Sequence, residues 1–289
     1  MDPDVSFAVE HAPAKVNLAL HVTGRRADGY HLLDSLIVFT AHGDRLTFSP
    51  AQRDSFSVTG PFSASVPNDE GNLVLRARVL LREAFPEARK PVSIALEKNL
   101  PVASGIGGGS SDAAATLRAL ARHWGLEGQD RIDAIALSLG ADVPMCLTGR
   151  PLLASGIGDI MQPLNSFPEL NLVLVNPGIA LSTPAVFKAL QSTDNAPLPA
   201  LPSALDFTAL IEWLETTRND LQDAATQIVP EIGDSLSALR TNGSAFARMS
   251  GSGATCFGLF ENAENAAKAA ASISEAQPDW FVSSTKAVS

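Results

Sequence analysis

The stretch Leu100-Pro101-Val102-Ala103-Ser104-Gly105-Ile106-Gly107-Gly108-Gly109-Ser110-Ser111-Asp112 constrains this chain more than any other. Four glycines fall within five positions, and an amphipathic helical pattern follows at Ala113, Leu117, Leu120 and Trp124. Glycines let backbone N–H groups converge on a ligand without Cβ obstruction, and the start of a helix adds partial positive charge. A phosphate group is the ligand that suits both features. A Walker A loop is excluded because no lysine occurs in the segment. A dinucleotide fingerprint counted from Gly105 requires glycine at position 110, where Ser110 stands. An ordinary turn capped by Ser110 or Ser111 needs one serine, not four preceding glycines. The segment reads as a phosphate cradle.

The chain around it has 289 residues, 45% of them apolar and 18% charged, which excludes disorder and coiled coil and predicts a large core. Lys and Arg number 21 against 31 Asp and Glu, a net charge of −10, so nucleic acid is not an expected partner. A small phosphorylated ligand remains compatible, because a local site overrides the net field. Cys146 and Cys256 stand in no metal-like spacing and indicate neither a disulfide framework nor a zinc site. Met1-Asp2-Pro3-Asp4 lacks the pattern of a signal peptide, and no apolar run approaches the ~20 residues of a membrane span. A cytoplasmic protein without membrane partners is the expectation.

Apolar Val16, Leu18, Leu20 and Val22 alternate with Lys15, Asn17, Ala19 and His21, which predicts a half-buried strand. The polar stretch from Arg25 to Gly29 is a turn, with Asp28-Gly29 a hairpin signal, and apolar residues resume from Leu32 to Phe39. Leu46 and Phe48, then Phe56 and Val58, suggest separate short strands. Helices are expected at 73–85 and 132–139, the latter ended by Gly140, with a strand at 92–97 between them. Further on, strands at 170–175, 245–249, 255–260 and 280–284 interleave with helices at 183–190, 207–215, 231–240 and 263–273. That order predicts an antiparallel sheet covered by helices, an α+β layer. The proline-bearing stretch 195–202 reads as a surface loop, and the domain boundary is expected near 156–164.

Four further segments carry candidate chemistry. In Pro13-Ala14-Lys15-Val16-Asn17-Leu18, Lys15 and Asn17 share one strand face; an open, solvated face is the plain alternative, but asparagine is disfavoured in strands. In Gly140-Ala141-Asp142-Val143-Pro144, Pro144 biases Val143 towards extended backbone and presents Asp142 rigidly, as a general base or as a turn-stabilising residue. Tyr30, the only tyrosine, and His31 could engage a base or border a core. Ser250-Gly251-Ser252-Gly253 is either a tight hairpin or a wall approached closely by ligand.

Taken together, Pro-Ala-Lys-Val-Asn-Leu, Arg-x-Asp-Gly-Tyr-His, Gly-Ile-Gly-Gly-Gly-Ser-Ser-Asp-Ala-Ala and Gly-Ala-Asp-Val-Pro resemble the GHMP superfamily of small-molecule kinases. Asn219-Asp220-Leu221 and Met-Ser-Gly-Ser-Gly-Ala-Thr-Cys-Phe extend the likeness into the C-terminal region. The Lys/Asn strand with Asp-Gly-Tyr-His narrows it to the branch serving the non-mevalonate isoprenoid pathway. The resemblance implies a two-domain α+β fold: a ribosomal-protein-S5-like N-terminal domain, residues 1–158, and a ferredoxin-like C-terminal domain, residues 159–289, with an active-site cleft between them. It implies ATP-dependent phosphorylation of the 2-hydroxyl of a diphosphocytidyl-methylerythritol substrate. By position, Asp142 matches the catalytic base and Lys15 its cationic partner. Asn17 matches a contact to the methylerythritol end, Tyr30 and His31 match residues that recognise cytidine, and Phe187 in Thr183-Pro-Ala-Val-Phe187 matches an aromatic that stacks on the base. Pro101, Ala103, Ser104, Gly105, Ile106, Gly107, Gly108, Gly109, Ser110 and Ser111 match the ATP-binding segment, and Asn72 and Lys98 fall where adenosine contacts are expected.

Two departures stand out. Ile106 replaces the family's usual leucine, and Asp112 stands where asparagine is frequent, adding negative charge beside the cradle. Mg2+ is expected with ATP, with Ser111 as candidate ligand and no glutamate counterpart. The expected partners are small-molecule nucleotides, on a monomer or homodimer. Two rival readings are a GHMP kinase for mevalonate, homoserine or a sugar, and a catalytically silent nucleotide-binding regulator on the same fold.

Overall fold

The computed structural model describes residues 6–86, 88 and 90–288; the N-terminal reading of Met1–Asp4 falls outside them. Among the described residues, ten strands and nine α-helices run in the order β1 (Ala8–Arg25), β2 (His31–Pro50), β3 (Ser55–Thr59), α1 (Leu73–Ala84), β4 (Val92–Glu97), α2 (Gly108–Trp124), α3 (Gln129–Leu139) and α4 (Val143–Thr148). There follow β5 (Leu152–Gly156), β6 (Ile160–Pro163), β7 (Asn171–Asn176), α5 (Thr183–Lys188), α6 (Phe207–Glu215), α7 (Gln222–Ile228) and α8 (Glu231–Thr241). The chain ends with β8 (Phe246–Met249), β9 (Cys256–Phe260), α9 (Ala263–Ala276) and β10 (Phe281–Val288). Among the described residues no helix is long and apolar enough to cross a membrane.

The chain gathers into two compact units that interleave along the sequence. The first takes in Met1–Ala14, Gly43–Val102 and Gly107–Thr148, so far as these are described; the second takes in Lys15–His42, Ala103–Ile106 and Gly149–Ser289. The single boundary expected at 158/159 divides the chain differently, because β1 and β2 each contribute to both units.

In the first unit, the second half of β2 pairs antiparallel with β4, setting Phe48 opposite Ile94, and β3 joins β4 in parallel. Leu46 and Phe48 thus belong to β2, not to a separate strand as their spacing suggested. The polar residues 42–44 do not end the strand, because the Asp44 carboxylate is fully buried and takes up the backbone N–H groups of Asn99 and Leu100. Helix α1 packs on α2 and α3, and α4 on α2 and α3. Asn72 starts α1 by accepting from the Val74 N–H, and Gly140 closes α3, as its position predicted.

In the second unit, β7 lies between β10 and β9, with β8 outside β9, all antiparallel. The first half of β2 pairs with β5, and β5 with β6. The apolar core joins Val173 and Val175 of β7 to Leu20 and Val22 of β1, Ile232 and Leu239 of α8, and Ile273 of α9. Strand β1 departs from the expected half-buried alternation, since every residue from Ala12 to Val22 is buried. Alternation failed as a guide because Asn17 and His21 are buried by hydrogen bonding: Asn17 donates to the Ser35 hydroxyl, and the Arg218 N–H donates to His21 Nε2. The helix α7 and the strands β5 and β6 carry weak periodicity and were not expected.

Candidate active site

The glycine-rich segment folds as a turn that becomes a helix. Ala103, Gly105 and Gly107 all have positive φ, at 52°, 79° and 65°, so the backbone needs conformations that side chains resist. Gly107 is the N-cap of α2 and provides no side-chain cap, so neither Ser110 nor Ser111 fills that place. No side chain of the N-cap residue therefore takes up the first N–H groups of the helix. Ser111 is fully buried in the first turn, and its Oγ has no partner among the described residues. Pro101 is buried before the turn.

The stretch Ala103–Ile106 of the segment belongs to the second unit, where Ser250–Gly253 presses against it. A Cβ on Gly105 would stand 2.5 Å from the Ser250 carbonyl oxygen, and one on Gly251 2.8 Å from the Gly105 carbonyl oxygen. The Ser250 hydroxyl donates to that Gly105 carbonyl, Thr255 N–H donates to the Ser104 carbonyl, and Lys15 N–H to the Ile106 carbonyl. Of the two readings for Ser250–Gly253, the structure shows a tight turn that buttresses the glycine segment. Asn219 holds the turn, donating to the carbonyls of Met249 and Gly251.

Lys15 is 6% exposed and Asn17 4% exposed, both in β1. Asn17 donates from its side chain to Ser35, and among the described residues none donates to its Oδ1, which lies 3.3 Å from where a Gly251 Cβ would be. That leaves one buried acceptor aimed at the Ser250–Gly253 turn. Arg26 and Tyr30 close the β1–β2 hairpin through Arg26 N–H to the Tyr30 carbonyl, and Tyr30 is left 61% exposed. His31 stacks on Phe187 with ring centroids 4.6 Å apart and planes 22° from parallel. Burial, then the nearby Arg25 charge, lowers the His31 pKa and favours a neutral ring. The Thr183 hydroxyl, at the start of α5, pairs with that of Ser252 at 2.7 Å.

Asp142 is half-buried in the first unit, immediately before α4, where the Cys146 N–H donates to its carbonyl. Val143 is helical, not extended as Pro144 led us to expect. A proline in the first helical turn needs no N–H partner, and that outweighs its bias on the preceding residue. Arg118 of α2 fastens the other end of α4 by donating to the Cys146 carbonyl, and also binds Glu10 and the His11 carbonyl.

Two residues expected near adenosine have their side chains engaged inside the first unit. Asn72 caps α1 with its oxygen and donates its amide to the Pro67 carbonyl. Lys98 is 3% exposed, its ammonium held between the carboxylates of Asp44 and Asp112. Burial drives the Asp112 pKa up, Lys98 opposes this and the Asp44 charge adds to it, leaving it at about 7. Sequence reasoning noticed Asp112 but missed Asp44; the available signal was a carboxylate set among core residues of a strand. Cys146 and Cys256 are both buried and unbridged, and among the described residues no group of three or more His, Cys, Asp or Glu side chains is arranged to hold a metal ion.

Comparison with known proteins matches these features to one family. Residues 72–150 match the GHMP kinases N terminal domain and residues 198–279 the GHMP kinases C terminal domain. A 4-diphosphocytidyl-2-C-methyl-D-erythritol kinase of Mesorhizobium japonicum is 58% identical, covering 100% of this chain and 99% of its own. The protein of the same name from Agrobacterium fabrum is 50% identical over 97% of this chain and 96% of its own. A crystal structure of 4-(cytidine 5'-diphospho)-2C-methyl-D-erythritol kinase superposes with a TM-score of 0.80 at 35% identity, covering 98% of this chain and 100% of the other. Homoserine kinase from Cytophaga hutchinsonii, at 17% identity and a TM-score of 0.67, shares the fold. By full-length identity, by the match of both domains and by the superposition, the chain belongs to the 4-diphosphocytidyl-2-C-methyl-D-erythritol kinase family of GHMP kinases.

Proposed function

We propose that this protein transfers the γ-phosphoryl group of ATP to the 2-hydroxyl of 4-diphosphocytidyl-2-C-methyl-D-erythritol, a step of the non-mevalonate isoprenoid pathway. The full-length identity of 50–58% to kinases of that name carries the reading. The stacked His31 and Phe187 beside exposed Tyr30 support it, since a nucleobase is the part of that substrate an aromatic surface suits. Mevalonate and homoserine offer such a surface nothing to stack.

In this reading the N–H groups at Gly107–Ser110, with Ala103–Ile106 leading into them, hold the nucleotide phosphates. Bound there, ATP would supply the phosphoryl group and its Mg2+ would neutralise phosphate charge, with the buried Ser111 Oγ, unpartnered among the described residues, as the side-chain atom that would hold the ion. Asp142 takes the proton from the 2-hydroxyl as that oxygen forms its bond to phosphorus, and the bond to ADP breaks. The Lys15 ammonium steadies the negative charge on the entering oxygen. Asn17 offers its unpartnered Oδ1 to a hydroxyl of the methylerythritol end. Thr183, at the start of the helix that carries Phe187, lines the cytidine side. Lys98 is assigned no direct contact with adenosine, and Asn72 serves chiefly to start α1.

The test is ADP release by the purified protein, measured with 4-diphosphocytidyl-2-C-methyl-D-erythritol, mevalonate and homoserine. Turnover is expected with the first alone. Turnover with another alcohol instead would reassign the substrate, and ATP binding without turnover on any would point to a silent regulator.

A further inference from the structure

Asp44 of β2, Lys98 just beyond β4 and Asp112 in the first turn of α2 form a buried ionic group, with exposures of 0%, 3% and 3%. Asp44 Oδ1 accepts the backbone N–H groups of Asn99 at 2.6 Å and Leu100 at 2.8 Å, and its Oδ2 accepts from the Lys98 ammonium. The same ammonium donates to Asp112 Oδ2 at 2.7 Å. Asn99 and Leu100 lead into the glycine-rich segment, whereas Gly108 and Asp112 lead out of it. Both ends of the segment are thus tied to one cation. A Cβ on Gly108 would stand 3.1 Å from Lys98 Nζ, which puts the ammonium directly beneath the start of α2.

Buried ion pairs of this kind are weak sources of stability, because desolvation offsets most of the Coulombic gain. Their better-attested use is to fix a geometry. We propose that Lys98, acting through Asp44 and Asp112, is a positioning residue for the nucleotide phosphates: it sets the distance between entry and exit of the cradle. This rests on the reading of Gly107–Ser110 as the phosphate site. Asp112 is the replaceable part of the device. An asparagine oxygen at that position accepts from the ammonium just as the carboxylate does, whereas alanine cuts the tie to α2 and leaves Asp44 to balance the cation.

Steady-state kinetics of Asp112→Ala, Asp112→Asn and Lys98→Met test the proposal, with KM for ATP, KM for the cytidyl substrate, kcat and the thermal midpoint as readouts. Asp112→Ala is expected to raise KM for ATP by about tenfold through displacement of the cradle. Its kcat and the other KM stay within about twofold, the pattern of lost nucleotide binding. Asp112→Asn is expected to recover most of that affinity, and Lys98→Met to act like Asp112→Ala or more strongly. If Lys98→Met does not fold, the Asp112 pair decides. An unchanged KM for ATP in Asp112→Ala overturns the proposal, and so does equal damage by Asn and Ala, or loss shared equally by both substrates. Gly109→Val separates this from the underlying reading: Gly109 is exposed, and a Cβ there meets nothing closer than Leu73 Cδ1 at 3.8 Å. If that variant leaves KM for ATP unchanged, the phosphate site itself is misplaced. If it raises KM and Asp112→Ala does not, only the positioning role falls.

Discussion

Asp142 and Phe187 put the two halves of the proposed chemistry on single side chains, and they fail in different ways when changed. Asp142 stands half-buried at the start of α4, whose far end Arg118 fastens, so its carboxylate is presented on a fixed backbone. Asp142→Asn keeps the shape and removes the proton acceptor. Its kcat is expected to fall by about 10²–10⁴-fold, the usual worth of a positioned general base, while KM for ATP stays near the wild-type value. Wild-type turnover in that variant would remove the base assignment. Phe187→Ala should instead weaken binding of the cytidyl substrate by about 1–3 kcal/mol, the worth of one base stack, and leave ATP binding alone. Titration calorimetry with each ligand separates the two outcomes. The motifs that hold Asp142, Lys15 and the glycines stand out in the sequence because they are local. The partners of Ser35, Asp44 and Ser250 do not, because each lies apart along the chain: Ser250 accepts the Asn17 N–H across 233 positions.

At the scale of elements, the long strand β1 is held to distant segments by buried polar groups. Arg248 of β8 is 8% exposed with its guanidinium on the carbonyls of Leu18, Leu214 and Thr217, and burial lowers its pKa to about 10. His21 is 1% exposed, its Nδ1 facing the Ala196 carbonyl and its Nε2 accepting the Arg218 N–H, which fixes a neutral tautomer. Burial is the main cause of its lowered pKa; the Ala196 carbonyl and Asp220 oppose the shift, and the Arg218 charge reinforces it. A histidine whose folded pKa lies below its unfolded value of 6.5 adds stability above that pH, and loses it as pH falls towards the folded value. His21→Gln can keep one donor and one acceptor without titrating. The thermal midpoint of the wild type is therefore expected to drop more than that of His21→Gln between about pH 7.5 and pH 5.5. Parallel curves would show that His21 carries none of the acid sensitivity. The sequence marked β1 as a strand, but it could not reveal burial on both faces, because the groups that satisfy Asn17 and His21 come from β2, the loop at 196 and Arg218.

For the whole molecule, the interleaving of the two units predicts what a cut will do. Lys15–His42 belongs with the C-terminal segment, giving it Leu20 and Val22 of its core and a pairing partner for β5 and β10. A fragment of residues 159–289 lacks these, and it should show no cooperative thermal transition, whereas the full chain should. A sharp calorimetric transition from that fragment would contradict the division described here. By itself, the sequence determined the family, the helices and strands with strong periodicity, and the glycine turn with its neighbouring helix. These follow from interactions among residues close along the chain, where spacing and backbone preference are written directly. Only the tertiary structure decided that Ser250–Gly253 is a buttress, that Lys98 is a buried tie between Asp44 and Asp112, and that β1 and β2 serve two units. Those outcomes depend on which distant groups share a dry interior, where an unpaired polar atom costs too much to leave alone, and spacing along a chain does not record that.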